Sequence, residues 1–439
     1  MRRRKRINKQ KLFSFISLIF ILTCCIWYGG RAVYFYMETH KTTKTKEITL
    51  TKKLMTGNKN LKKKNEEYYY YQNADNNYII YSNLVFRILK ITKDDKLVLI
   101  SDEPITNLAM GTESTYKESN IINWLNTNTT KKNSGILEKN LNDPNKYLVE
   151  NKTCTDSLDD IKKLTCNDIS NEKISLLTIN DYINTGSTKS FINNGNTTYL
   201  ANTNSEKEKW LIDEDGKLTT DDGSGIYGVK IVITLKENTN LKSGDGSIND
   251  PYKFEEDNTY FGSYIKLDDD IWRVYSEEDD TLKLSLNDYL KEQGEALTYI
   301  YSSNNSFHND TIYGSLAYYL NKTYLNNLSY KDSIITNNYS NGYYTSDEDY
   351  DYSSALESKA DTKVSNLSIG DVILNNSLDG YFLATGLYNK SDYVYIAKKN
   401  GNTDTIKVTK EAKIVPCISI NKNKLTKGSG TKDDPYRME

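Results

Sequence analysis

The chain has 439 residues, 37% of them hydrophobic, with two histidines, 36 tyrosines and a formal net charge of −2; that suffices for two or three domains with polar surfaces. The two histidines lie apart, His40 in a polar Lys-rich stretch and His308 in a loop, so neither a His-built zinc site nor a Ser-His-Asp triad is expected. Residues 1–67 hold 17 Lys/Arg against four acids, so the remainder carries net −15, and an acidic body is no partner for nucleic acid, whose phosphates need clustered cations.

Residues 1–11, MRRRKRINKQK, contain seven cations and no acid. The uncharged run LFSFISLIFILTCCIWYGG follows at 12–30 and is long enough to approach the ~30 Å hydrocarbon thickness. The reading is a cytoplasmic tail and a single-pass membrane anchor, with everything after Arg31 exported because the cations precede the span. A cleaved signal peptide ending at Gly30-Arg31-Ala32 is the alternative. Residues 31–73 read as a polar, Lys-rich stalk without apolar period.

Beyond the stalk the chain repeats itself. GDGSINDPYKF at 244–254 returns as GSGTKDDPYRM at 428–438, and YIIYSNLVFRI at 78–88 as YIKLDDDIWRV at 264–274. NWLN (123–126) matches YYLN (318–321), ISLLTINDYI (174–183) matches VSNLSIGDVI (364–373), and VKIVITL (229–235) matches IVPCISI (414–420). The order is constant, which predicts two copies of one domain, 74–256 and 257–439.

Each copy opens with a hairpin pattern, broken by Asp-Asp-Lys at 94–96 or Asp-Asp-Thr at 279–281. A helix is expected next, capped by Thr115 and Glu118 in copy one and by Asp310 in copy two. Short strands are expected at 174–179, 197–201, 208–212 and 229–236 and at their partners. The expected class is α+β, two tandem mixed domains with long loops behind a transmembrane helix. The ending Gly-x-Gly-[ST]-x-x-Asp-Pro-Tyr reads as a turn, with a calcium loop from Asp245, Asn249 and Asp250 the lesser alternative.

FRILKI and WRVYS opening the two copies, then NWLN, ISLLTINDY and GVKIVITL in copy one, resemble a family of uncharacterised bacterial cell-envelope domains. That family is similar to the formylglycine-generating-enzyme and C-type-lectin-like folds. The resemblance implies a lectin-like domain behind a membrane anchor and brings no reaction with it. A formylglycine-enzyme site would need a cysteine pair. Copy two has Cys417 alone, in an apolar run that suggests burial.

Cys154 and Cys166 could form a disulfide, a metal site or a redox pair. Eleven intervening residues, no other ligands nearby and an exported position favour the disulfide. Acidic runs at 213–216, 219–225, 267–272 and 345–352 read as solvated turns, so no catalytic residue, metal or cofactor is expected. The stretch NNYSNGYYTSDEDYDYSS at 337–354 has no aliphatic residue and the composition of adaptable binding loops. Tyr339, Tyr343, Tyr344 and Tyr350 are therefore the candidate ligand-binding residues, with the loop 101–114 of copy one next. The function expected is surface binding of a glycan, wall polymer or protein. A carboxylate hydrolase and a non-binding spacer are the alternatives.

Overall fold

The computed structural model describes residues 49–56, 58–112, 115–126, 136–237, 239–254, 259–307, 311–344, 359–375, 377–399 and 402–438. The expected anchor at 12–30 lies outside them, and no helix among the described residues is long and apolar enough to cross a membrane. Strand makes up about 40% and helix about 15% of the described residues, which are therefore mostly β. This corrects the α+β expectation. The physical reason is length: helices such as Asn120–Leu125 and Ile179–Thr185 span one or two turns and cannot form a layer.

Both halves build the same pair of sheets. In the first sheet of copy one, Tyr78–Tyr81, Leu84–Ile91, Leu97–Ser101, Ile231–Leu235 and Ile174–Leu176 lie side by side. Copy two repeats the order with Tyr264–Leu267, Asp270–Glu278, Thr281–Leu286, Pro416–Asn421 and Val364–Asn366. The opening ladder slips register between Ile88 and Lys90 in one copy and between Val274 and Ser276 in the other. The second sheet runs Leu218–Asp221, Lys209–Ile212, Thr198–Thr203, Tyr227–Val229, Thr106–Leu108. Its counterpart runs Thr403–Lys407, Tyr393–Ala397, Tyr381–Leu387, Glu411–Lys413, Thr298–Ile300. Among the described residues no strand pairing crosses between the halves.

The repeated phrases are the joints of this frame. Gly244 (φ +94°) and Gly428 (φ +97°) each lie against a proline backbone: an added Cβ would come within 2.1 Å of the Pro251 oxygen or 2.2 Å of the Pro435 oxygen. Only glycine fits there. The amides of Asp250 and Asp434 donate to Ser247 Oγ and Thr431 Oγ1, both at 3.1 Å. The phrase then delivers Tyr252 and Tyr436 parallel to the first strand of each copy, opposite Ile79 and Ile265. So the ending closes the sheet that the beginning opened. The asparagine of NWLN and YYLN is a second joint. Asn126 both donates to the Ile174 oxygen and accepts from the Ile174 amide, and Asn321 does the same to Val364. It ties the short helix to an edge strand that would otherwise leave those groups unpaired.

Helix starts differ from expectation. Ser119 caps Asn120–Leu125 by accepting from the Ile122 amide, because Thr115 spends its hydroxyl on the Glu118 carboxylate. In copy two Ser315 is the cap, accepting from the Tyr318 amide; Asp310 lies outside the described residues. The stretch expected as stalk contributes structure from Thr49 onward. Leu50 and Leu54 are buried in a helical turn, and a hairpin of Leu61–Lys64 and Glu67–Tyr70 extends the first sheet. Tyr69 and Tyr70 are the reason: both are buried, and the Tyr69 hydroxyl bonds Glu67 and Asp181.

Candidate functional site: the cleft between the copies

Each copy holds one arginine on its second strand, Arg87 and Arg273, laid over the first-strand tyrosine (Tyr78 at 3.8 Å, Tyr264 at 4.8 Å). The stacking fixes the guanidinium while leaving its in-plane donors to be satisfied. In copy one they are: Nε donates to Asn77, and Nη1 forms an ion pair with Asp102 at 3.3 Å. In copy two the register places Asn287 where copy one has Asp102. Arg273 instead donates to backbone oxygens of Gly262 and Leu374, at 3.1 and 2.6 Å. No carboxylate among the described residues pairs with it. Burial lowers its pKa, with Tyr264 opposing, from a value high enough that it stays a cation.

Arg273 faces a cleft of about 450 Å³ between the copies. Copy one supplies Val85, Asp102, Glu103 and Ile105; copy two adds Leu374, Asn375 and Lys399. The rims are held together by hydrogen bonds across the junction. The Ile373 amide donates to the Ile105 oxygen (2.8 Å), Thr106 Oγ1 to the Asp371 oxygen (2.9 Å), and Trp124 Nε1 to the Gly370 oxygen (2.8 Å). Asn83 Nδ2 reaches the Phe261 oxygen at 2.9 Å.

The charges behind the cleft are perturbed. Burial raises the pKa of Glu103, against the pull of Lys230 and a hydrogen bond from Asn196 at 3.0 Å. Burial pushes Lys230 down to about 8, opposed by Glu103 and Asp102. Its ammonium group donates to the Ile192 oxygen and Asn194 Oδ1. The cleft thus sets an uncompensated guanidinium on one wall and two carboxyl groups on the other. That arrangement can hold a polar ligand carrying an anionic group and a donor.

Neither a protein-family profile, nor a curated protein, nor a solved structure matches this chain. The residues themselves carry the functional reading.

Of the candidate tyrosines, Tyr339, Tyr343 and Tyr344 lie elsewhere. Tyr339 and Tyr344 are buried at 3% and 2% exposure, Tyr343 is half-buried, and Tyr350 is outside the described residues. Tyr339 shares a hydrogen bond with Ser419 at 2.7 Å, and Tyr343–Tyr344 adds a parallel strand beside Gly386 and Leu387. Their rings pack the domain. The second candidate, 101–114, supplies the copy-one wall of the cleft. Cys154 and Cys166 face each other with Cα atoms 5.2 Å apart, within disulfide geometry. Cys417 is buried and free. Among the described residues no three His, Cys, Asp or Glu converge as metal ligands. Sequence reasoning missed Arg273. The signal was there: an arginine kept in both copies whose acidic partner survives in only one.

Proposed function

We infer that the protein is an exported, membrane-held surface protein whose two copies together bind an extracellular glycan, wall polymer or protein at their junction. One observation carries this: Arg273 stands in the inter-copy cleft without a carboxylate counterion among the described residues, whereas its twin Arg87 is neutralised. A half-buried cation whose hydrogen bonds among the described residues go to backbone oxygens alone is incompletely compensated, and a ligand anion would offset that cost. The disulfide-competent cysteine pair supports an oxidising location. The basic tail and apolar run at 1–30 support membrane attachment, and the resemblance to cell-envelope domains supports both. The hydrolase reading draws on Glu103 and Lys230, whose shifted pKa values are of the kind found in active sites. It is weaker, because Asp102 is committed to Arg87 and leaves Glu103 without a free carboxylate partner. The test is a screen of the detergent-solubilised full chain against arrays of glycans and wall fragments. Saturable binding of an anionic fragment, displaced by excess free fragment, is expected. Absence of binding across the arrays would overturn the reading.

A further inference from the structure

The two copies differ in what covers one face. In copy one, Thr106–Leu108 is the edge strand of the second sheet, and it is buried throughout because copy two docks on it. Its counterpart in copy two, Thr298–Ile300, is also an edge strand, and it is open: Thr298 and Ile300 are exposed and Tyr299 is half-exposed. The neighbouring helix shows the same contrast. Trp124, two residues before the conserved-role asparagine of copy one, is buried in the junction and donates to Gly370. Tyr319, two residues before Asn321, lies half-exposed at the start of a π-helical turn, Tyr319–Tyr324. Such turns are rare and occur often at functional sites.

Tyrosines have collected on this open face. Tyr299 and Tyr319 stack with centroids 4.9 Å apart, and Tyr313 sits edge-on to Tyr318 at 5.3 Å. Tyr313 is 86% exposed. The pairs adjoin because Tyr318 and Tyr319, one from each, are neighbours in the chain; burial and then Tyr313 raise the pKa of Tyr299. We propose that Tyr299, Tyr313, Tyr318 and Tyr319 form a platform for a neutral glycan, which lays its sugar rings on the tyrosine faces.

Chemistry selects this occupant. An aromatic face is electron-rich and attracts the weakly positive C–H face of a pyranose, while the phenol oxygens exchange hydrogen bonds with its hydroxyls. Tyrosine has few rotors to freeze, so the platform is ordered before the sugar arrives. The buried, docked face of copy one is lined by Ile105, Leu108 and Trp124; the open face replaces that dry surface with amphipathic rings beside exposed Lys291, Glu292 and Glu295. A second copy of the chain cannot dock here as copy two docks on copy one. The docking segment Gly370–Ile373 offers the backbone oxygens of Gly370 and Asp371, but it corresponds to 180–183 in copy one, and there the chain is the helix Ile179–Thr185, whose backbone groups bond within the helix.

This platform is separate from the junction cleft and rests on the proposed function only for its extracellular setting. The test is calorimetric titration of the detergent-solubilised full chain with cellotetraose and chitotetraose. Wild type should bind at least one. Tyr313→Ala, whose ring is solvent-exposed, and Tyr299→Ala/Tyr313→Ala should weaken it about ten- to a hundredfold. Arg273→Gln should leave this binding unchanged. Failure of wild type to bind either sugar overturns the platform while leaving the cleft to be tested with anionic fragments. Binding lost in Arg273→Gln but kept in both tyrosine variants assigns the sugar to the cleft and overturns it too. Sedimentation at rising concentration covers the protein-partner outcome: self-association abolished by Tyr313→Ala, with no sugar bound, makes the face a protein contact.

Discussion

Replacing Tyr339 with serine should unfold copy two at markedly lower temperature. The ring is 3% exposed, and its hydroxyl lies 2.7 Å from Ser419 Oγ on an interior strand of the first sheet. Truncating a buried aromatic side chain costs about 3–5 kcal/mol through lost burial and the cavity left behind. The hydroxyl contributes little of this: Ser419 also accepts from Asn337 Nδ2 at 3.0 Å, so Tyr339→Phe should cost only about 1 kcal/mol. At ~2–4 °C per kcal/mol for a domain of this size, Tyr339→Ser lowers the transition by roughly 6–20 °C. Tyr313→Ser is the control, since its exposed ring predicts a change within about 0.5 kcal/mol. Differential scanning calorimetry of the three variants decides the matter. A Tyr339→Ser transition at the wild-type temperature would refute the packing argument and return Tyr339 to the candidate binding residues.

Arg87→Gln should destabilise copy one by about 3–5 kcal/mol by leaving Asp102 unpaired, whereas Arg273→Gln, which orphans no acid, should shift the urea midpoint little or upward. Lys230 has a folded pKa of about 8 against an unfolded value of 10.5, so the unfolded chain binds more protons between those values. Stability of copy one should therefore rise as pH climbs from 8 towards 10.5, by up to about 3 kcal/mol, and Lys230→Met should flatten that rise in urea titrations across the window. The Cys154–Cys166 bridge closes a short loop, and Cys154→Ser/Cys166→Ser should lose about 3 kcal/mol. Intact mass should show both thiols alkylated only after reduction.

Much of the frame was legible because the same physical demand recurs in both copies. The glycines of the closing phrase, the stacked arginines and the strand-clamping asparagines are each needed twice, so each was written twice. What misled was local composition. Tyr339 and Tyr344 sit in a stretch without aliphatic residues, yet tyrosine buries as much area as leucine when its hydroxyl finds a partner. Residues 49–73 look like a charged stalk because their lysines point outward from an edge hairpin while Tyr69 and Tyr70 point in. The cleft was illegible for another reason. Asp102 and Arg273 lie in different copies, and no pattern along the chain says which faces of two domains meet.

The most direct test titrates an anionic wall fragment, chosen from the array screen, into full-length wild type, Arg273→Gln and Lys399→Ala. Arg273 is predicted to supply the charge that holds the fragment: Arg273→Gln should weaken binding by tenfold or more, about 1.4 kcal/mol, with unfolding unchanged, and Lys399→Ala, at the exposed rim, should weaken it less. Equal affinity in wild type and Arg273→Gln would contradict the assignment of the junction cleft as the binding site.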